Sequence, residues 1–234
     1  MALSLASHTC TTEYISKKMQ DYNNNSNSPL GDGGMNGGIN KLFPIFLKLE
    51  ELKVLLVGGG NVALEKLTAI INNAPAAQVH VVAKEVFPQF AEAAEQLKNI
   101  TITVAEYEPH YLDDCDIVIA AVNDIPLSKI IRDDAKQKGK LINVADKPEL
   151  CDFYLGSIVT KGNLKLAIST NGKSPTVAKR LKEIFNELLP DELDEVLNNV
   201  QQIRNKLKGD FQNKIHQLNE LTKVLIDDDK KVDN

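Results

Sequence analysis

The chain has 234 residues, 43% hydrophobic and 25% charged, the balance of a folded protein able to bury an ordinary core. Its 27 basic and 32 acidic side chains give a net charge of -5, and residues 183–234 hold 7 basic and 12 acidic of them, which leaves a neutral front and an acidic tail. Neither part has the basic field of a nucleic-acid binder, and no apolar run approaches the roughly 18 residues of a membrane span.

Residues 1–40 contain 16 Asn, Gly and Ser and show no hydrophobic period. So few apolar side chains cannot offset the entropy of ordering, and a disordered leader is expected. Met1–Thr9 lacks the positive charge and apolar length of a targeting peptide. Cys10, Cys115 and Cys151 are odd in number and far apart, which argues against a disulfide framework and for a reducing, cytoplasmic compartment.

Folded structure is expected to begin at Lys41-Leu42-Phe43-Pro44-Ile45-Phe46-Leu47. From there short apolar runs alternate with helical spacing. Lys53–Val57, Gln78–Ala83, Ile100–Val104, Ile117–Val122 and Leu141–Val144 read as strands. Asn61–Asn72, Pro88–Leu97 and Leu127–Lys138 read as helices. Near-continuously apolar strands alternating with helices predict a Rossmann-type parallel sheet covered on both faces, over residues 41–155. A small β region (156–175) follows, with strands Ser157–Val159 and Leu164–Ser169. Two strands are too few to be stable alone, so this region is expected to dimerise. Ser174 as N-cap and Pro175 as first residue open a helical region (176–226), interrupted at Pro190 and again near Gly209. Residues 227–234 are read as a frayed tail.

Gly58-Gly59-Gly60-Asn61-Val62-Ala63 has the form G-x-G-x-x-A between a strand and a helix. Gly58 permits the tight turn, Gly60 lets backbone approach a pyrophosphate, and Ala63 lets helix and strand pack closely. The helix N-terminus supplies N–H donors to phosphate, so a dinucleotide is the expected cofactor. The acid that normally ends the second strand and holds the ribose of NAD is missing; the nearest is Glu85, beside Lys84. That substitution weakens the choice of NAD over NADP. His80 lies within the strand and reads as structural.

Asn143-Val144-Ala145-Asp146-Lys147-Pro148 lies at the carboxyl end of the fifth strand, where open α/β sheets bind ligands. Asp146 can serve there as a general base, or it can cap the turn before Pro148. Lys173, Ser174, Lys179 and Arg180 gather at a helix N-terminus, either as an anion-binding set or as a solvated basic face. His8, His80, His110 and His216 are scattered, so no metal site is expected.

Phe43-Pro44-Ile45-Phe46-Leu47, the glycine loop with Lys66, Asn143-Val144-Ala145-Asp146, Cys151-Asp152-Phe153 and Gly172-Lys173-Ser174-Pro175 together resemble the N-terminal module of siroheme synthases, from about Lys41 to Pro190. The resemblance implies a homodimer that uses NAD⁺ to dehydrogenate precorrin-2 to sirohydrochlorin; some members also insert Fe²⁺. It places cofactor contacts on Asn61, Val62, Lys84 and Glu85 and the essential aspartate on Asp146. No methyltransferase domain follows, so upstream methylation is expected to belong to another protein. The substrate's eight carboxylates would suit Lys173, Ser174, Lys179 and Arg180. The alternative is a non-catalytic NAD-sensing regulatory module, which the lack of a basic effector surface opposes. A short-chain oxidoreductase is opposed by the lack of a Y-x-x-x-K pair.

Overall fold

The computed structural model describes residues 40–95, 97–191 and 193–206, together with 213, 215–217 and 219. The expected leader up to residue 39, the break near Gly209 and the tail 227–234 lie outside them. The chain divides after Lys41, and every element below belongs to Leu42–Asn234.

Strands β1 (Lys53–Val57), β2 (Gln78–Ala83), β3 (Ile100–Val104), β4 (Ile117–Ala120) and β5 (Leu141–Val144) form one sheet in the order β3-β2-β1-β4-β5. All four pairings are parallel. Helices α1 (Asn61–Asn73), α2 (Pro88–Glu95) and α3 (Ile125–Gln137) are the crossovers. The strand order reverses between β1 and β4, and such a switch point opens a crevice at the carboxyl ends of the strands.

The continuous apolar reading of the strands has its cause in two cores. Val54 and Leu56 of β1 face α1 and α2, where Leu67, Ile70 and Phe90 are buried. Leu55 and Val57 face the other way, onto Ile131 and Ala135 of α3 and Leu112 of a 3₁₀ turn, Pro109–Leu112. Full burial of each such side chain stabilises by about 1.5–3 kcal/mol, so the sheet is a rigid platform for the loops at its edge.

Strands β6 (Ser157–Lys161) and β7 (Leu164–Ile168) form an antiparallel pair, followed by α4 (Pro175–Leu188) and α5 (Leu193–Lys206). The pairing runs two residues further than the expected Val159, because Gly162 takes φ 55 at the first position of a two-residue turn. Asp194 of α5 holds that turn, accepting from Asn163 N and Nδ2 at 2.7 Å each. Lys165 of β7 donates to the Asn73 carbonyl, tying the hairpin to the C-terminal end of α1.

Other boundaries also moved. α3 starts at Ile125 rather than Leu127, since the Asp124 carboxylate accepts from Leu127 N at 2.9 Å and Pro126 suits the first turn. β4 stops at Ala120, although Ala121 N still reaches Val57 O at 2.8 Å. Residues 42–48 carry no helix or strand, and Phe43 is 86% exposed; regular structure begins with the 3₁₀ turn Leu49–Glu51.

Candidate dinucleotide and carboxylate site

The glycine loop is shaped by what its residues lack. Gly58 has φ 124, and a Cβ there would lie 2.4 Å from the Ala121 carbonyl oxygen at the end of β4. A Cβ on Gly59 would lie 2.4 Å from Glu85 O. Gly58 N donates to Val82 O and Phe87 N donates to Gly59 O, both at 2.9 Å, which clasps the loop to the segment after β2. Both glycines are thus required by neighbouring backbone.

Gly60 differs. It has an ordinary φ of -94, and an added Cβ would meet nothing nearer than the Phe87 ring at 3.8 Å. Protein packing gives no reason for glycine there, whereas a ligand's phosphate close to the backbone does. Gly60 is the N-cap of α1, so the N–H groups of Asn61, Val62 and Ala63 have no acceptor within the helix. Asn61 and Val62 are exposed, and Ala63 is buried against the sheet. These donors and the clear space above Gly60 fit a pyrophosphate.

Lys84 and Glu85 follow β2 at the same edge, both exposed. Lys84 Nζ lies 2.9 Å from Glu106 Oε1, beyond β3. That ion pair raises the lysine's pKa and lowers the glutamate's. Lys84 is therefore turned towards the segment after β3, and Glu85 meets the loop through its backbone carbonyl at Gly59.

Asp146 sits in the turn after β5, exposed, with its backbone in the left-handed region at φ 60. Among the described residues none donates a hydrogen bond to its carboxylate. A turn-capping role would show such a bond. β1 and β5 flank β4, so the glycine loop and Asp146 are separated by two strand spacings, about 10 Å. The fold thus brings Gly58, Gly60, Asn61, Val62, Lys84, Glu85 and Asp146 to one edge of one sheet.

The four residues of the basic cluster lie elsewhere in the chain's architecture, at the start of α4. The Ser174 hydroxyl accepts from Val177 N at 3.2 Å, as an N-cap does, and Arg180 Nη1 lies 3.0 Å from Glu183 Oε2. Lys173 and Lys179 are exposed. Among the described residues no hydrogen bond or ion pair joins these four to the Asp146 turn. His80 is tied to Thr103, with Nε2 2.9 Å from Oγ1, and meets the Tyr111 ring edge-on at 5.7 Å, a structural setting.

Sequence reasoning gave no role to Asn143 or to Cys151 and Asp152. Asn143 is buried at the end of β5 and donates to Phe153 O at 2.8 Å. A polar residue inside an otherwise apolar strand was the available signal. Among the described residues no group of three or more His, Cys, Asp and Glu could hold a metal ion, and no helix is long and apolar enough to cross a membrane.

Residues 45–157 match the family described as "Putative NAD(P)-binding", and residues 161–188 match "Sirohaem biosynthesis protein central". A siroheme synthase 1 of Cronobacter sakazakii is 41% identical over 150 residues, covering 64% of this chain and 31% of that protein. A siroheme synthase of Nitrosomonas europaea is 30% identical over 176 residues, covering 75% and 36%. The chain spans about a third of the length of these curated relatives. Among solved structures the fold is that of SirC, a precorrin-2 dehydrogenase, with a TM-score of 0.63 at 23% identity over 77% of this chain and 89% of that one. Over residues 45–188 the chain is therefore similar to part of the siroheme synthases, through an NAD(P)-binding segment followed by a sirohaem-central segment.

Proposed function

We propose that the chain is an NAD-dependent precorrin-2 dehydrogenase with Asp146 as general base. The observation that carries this reading is the pairing, on one sheet edge, of a phosphate-shaped glycine loop with an unencumbered carboxylate about two strands away. Oxidation of precorrin-2 to sirohydrochlorin removes a hydride and a proton. NAD⁺, when bound, supplies the hydride acceptor. The chain's own part is to hold the dinucleotide at Gly58, Gly60, Asn61 and Val62, with Lys84 and Glu85 on the adenosine side, and to take the proton at the Asp146 carboxylate.

Lys173, Ser174, Lys179 and Arg180 are the proposed contacts for the substrate's carboxylates. The functional unit is a homodimer in the cytoplasm, with the Rossmann domain at 41–155, the β region at 156–175 and helices at 176–226. Exposed Val177, Ile184 and Leu188 on α4 support a partner surface there. Insertion of Fe²⁺ into sirohydrochlorin is a second reaction for the same base, since it too releases protons.

The test is absorbance of purified protein with precorrin-2 and NAD⁺. Wild type should form sirohydrochlorin. Asp146→Asn keeps size and tolerance of the left-handed backbone, and it should slow turnover at least about a hundredfold with NAD⁺ affinity unchanged. Turnover by Asp146→Asn near the wild-type rate would remove Asp146 from the chemistry. No sirohydrochlorin from wild type would remove the activity.

A further inference from the structure

β5 is an edge strand, and the N–H and C=O groups of its alternate residues Ile142 and Val144 face away from β4. They are not left open. Ile142 N donates to Asp152 Oδ2 at 3.1 Å, and Asp152 N donates to Ile142 O at 2.8 Å. Val144 N donates to Cys151 Sγ at 3.2 Å. As a donor the thiol has two acceptors in reach, Val144 O at 3.2 Å and Lys147 O at 3.3 Å from Sγ. Asn143 Nδ2 completes the set on Phe153 O at 2.8 Å and Cys151 Sγ at 3.5 Å.

Residues 151–153 therefore act as a substitute strand made partly of side chains, and they close the base of the 145–150 loop that carries Asp146. The Asp152 carboxylate is only 12% exposed and is neutralised by two cations of α3: Lys136 Nζ at 2.5 Å and Arg132 Nη2 at 3.5 Å. One carboxylate thus joins the loop, the strand and the helix behind it. Burial raises the Cys151 pKa, which keeps the thiol protonated and able to donate.

We propose that Asn143, Cys151 and Asp152 are positioning residues: they clip the 145–150 loop to the free edge of β5 and so hold Asp146, in its left-handed conformation, where it meets the substrate. The clip itself is geometric; its catalytic consequence rests on the general-base reading of Asp146. A left-handed backbone at a non-glycine residue persists only when its surroundings over-determine it, and these bonds are those surroundings. A misplacement of about 1 Å at a reacting group can cost on the order of a hundredfold in rate.

Cys151→Val leaves an apolar side chain, larger by about one methyl, and removes both roles of the thiol, whereas Cys151→Ser retains a donor and acceptor. The full chain of each variant is compared by amide hydrogen exchange at Lys147 and Asp152, by NAD⁺ affinity and by turnover of precorrin-2. In Cys151→Val, exchange at both amides should rise at least about tenfold and kcat should fall at least about tenfold. NAD⁺ affinity should hold within about twofold, and Cys151→Ser should recover most of the rate. Added to Asp146→Asn, Cys151→Val should cost nothing more, because the two act through one group. If Cys151→Val does not fold, Asp152→Asn, which drops the ion pairs to Lys136 and Arg132, carries the same comparison. Unchanged exchange overturns the clip. Faster exchange with unchanged kcat, or a further loss in the double variant, overturns its action through Asp146. A wild type that never turns over precorrin-2 overturns the proposed activity instead, and the exchange data then decide the clip alone.

Discussion

The loops after β1 and after β5 lie at the same edge of the sheet, but they take their shapes in different ways. The first is set by missing side chains: Gly58 and Gly59 let carbonyl oxygens of Ala121 and Glu85 come where a Cβ would stand. The second is set by side chains that return seven to ten residues later, Cys151 to Val144 and Asp152 to Ile142. A loop made of glycines has little to rearrange when a ligand arrives, and its failures should be steric. A loop held by side-chain hydrogen bonds fails by loosening, with the fold kept. Substitution on the first loop tests that contrast, because two glycines there stand two residues apart for different reasons.

The largest effect is expected at Gly58. Alanine there faces both a φ of 124 and a carbonyl oxygen 2.4 Å from its Cβ. Strain of this kind plus the forced shift of backbone should cost about 3 kcal/mol or more. In thermal unfolding that is a fall in Tm of roughly 6–12 °C for a chain of this size. A Gly58→Ala variant with wild-type Tm would mean that the close approach to Ala121 is not a constraint, and the contrast between the loops would collapse.

Gly60→Ala should do the reverse. Its φ of -94 suits any residue and its Cβ would rest at van der Waals distance from Phe87, so stability should stay within about 0.5 kcal/mol. The added methyl occupies the space assigned to the pyrophosphate, and NAD⁺ affinity by calorimetry should fall at least about tenfold. Full affinity in Gly60→Ala would leave Gly60 without a role, since packing supplies none.

The same contrast explains what could be read from the sequence. The strands β1, β2, β3 and β5 have the expected bounds because their apolar and β-branched runs are local. The glycine loop was equally readable, since an absent Cβ is written directly in the chain. Asp146 could be placed at a strand end, but nothing local distinguished a base from a cap; that no described residue donates to its carboxylate is a tertiary fact. The clip was hidden because a thiol between two carbonyls and a carboxylate between two cations of α3 depend on partners up to 20 residues apart. Residues 42–48 differ for a related reason: their apolar content predicts structure, whereas they carry no helix or strand and Phe43 is exposed.

The smallest expected effect lies outside both loops, at His80, and serves to separate stability from site geometry. Burial against Tyr111 and Thr103 lowers the pKa of His80, with the charge of Asp114 opposing weakly. The unfolded chain keeps a pKa of about 6.5, so around that pH it binds protons more readily than the folded protein. Stability therefore rises with pH through this window and is lost as pH falls from the unfolded value towards the lower, folded one. Glutamine at this position can still reach Thr103 Oγ1 but cannot charge. Between about pH 7.5 and about pH 5.5, the Tm of His80→Gln relative to wild type should climb as the solution is acidified. NAD⁺ affinity should not change, because the ring lies within β2, behind the glycine loop and away from Asp146. Parallel Tm curves for the two proteins across that range would show that the ring is not desolvated enough to matter. A loss of NAD⁺ affinity in His80→Gln would instead join β2 to the site and blur the division between a loop set by backbone and one set by side chains.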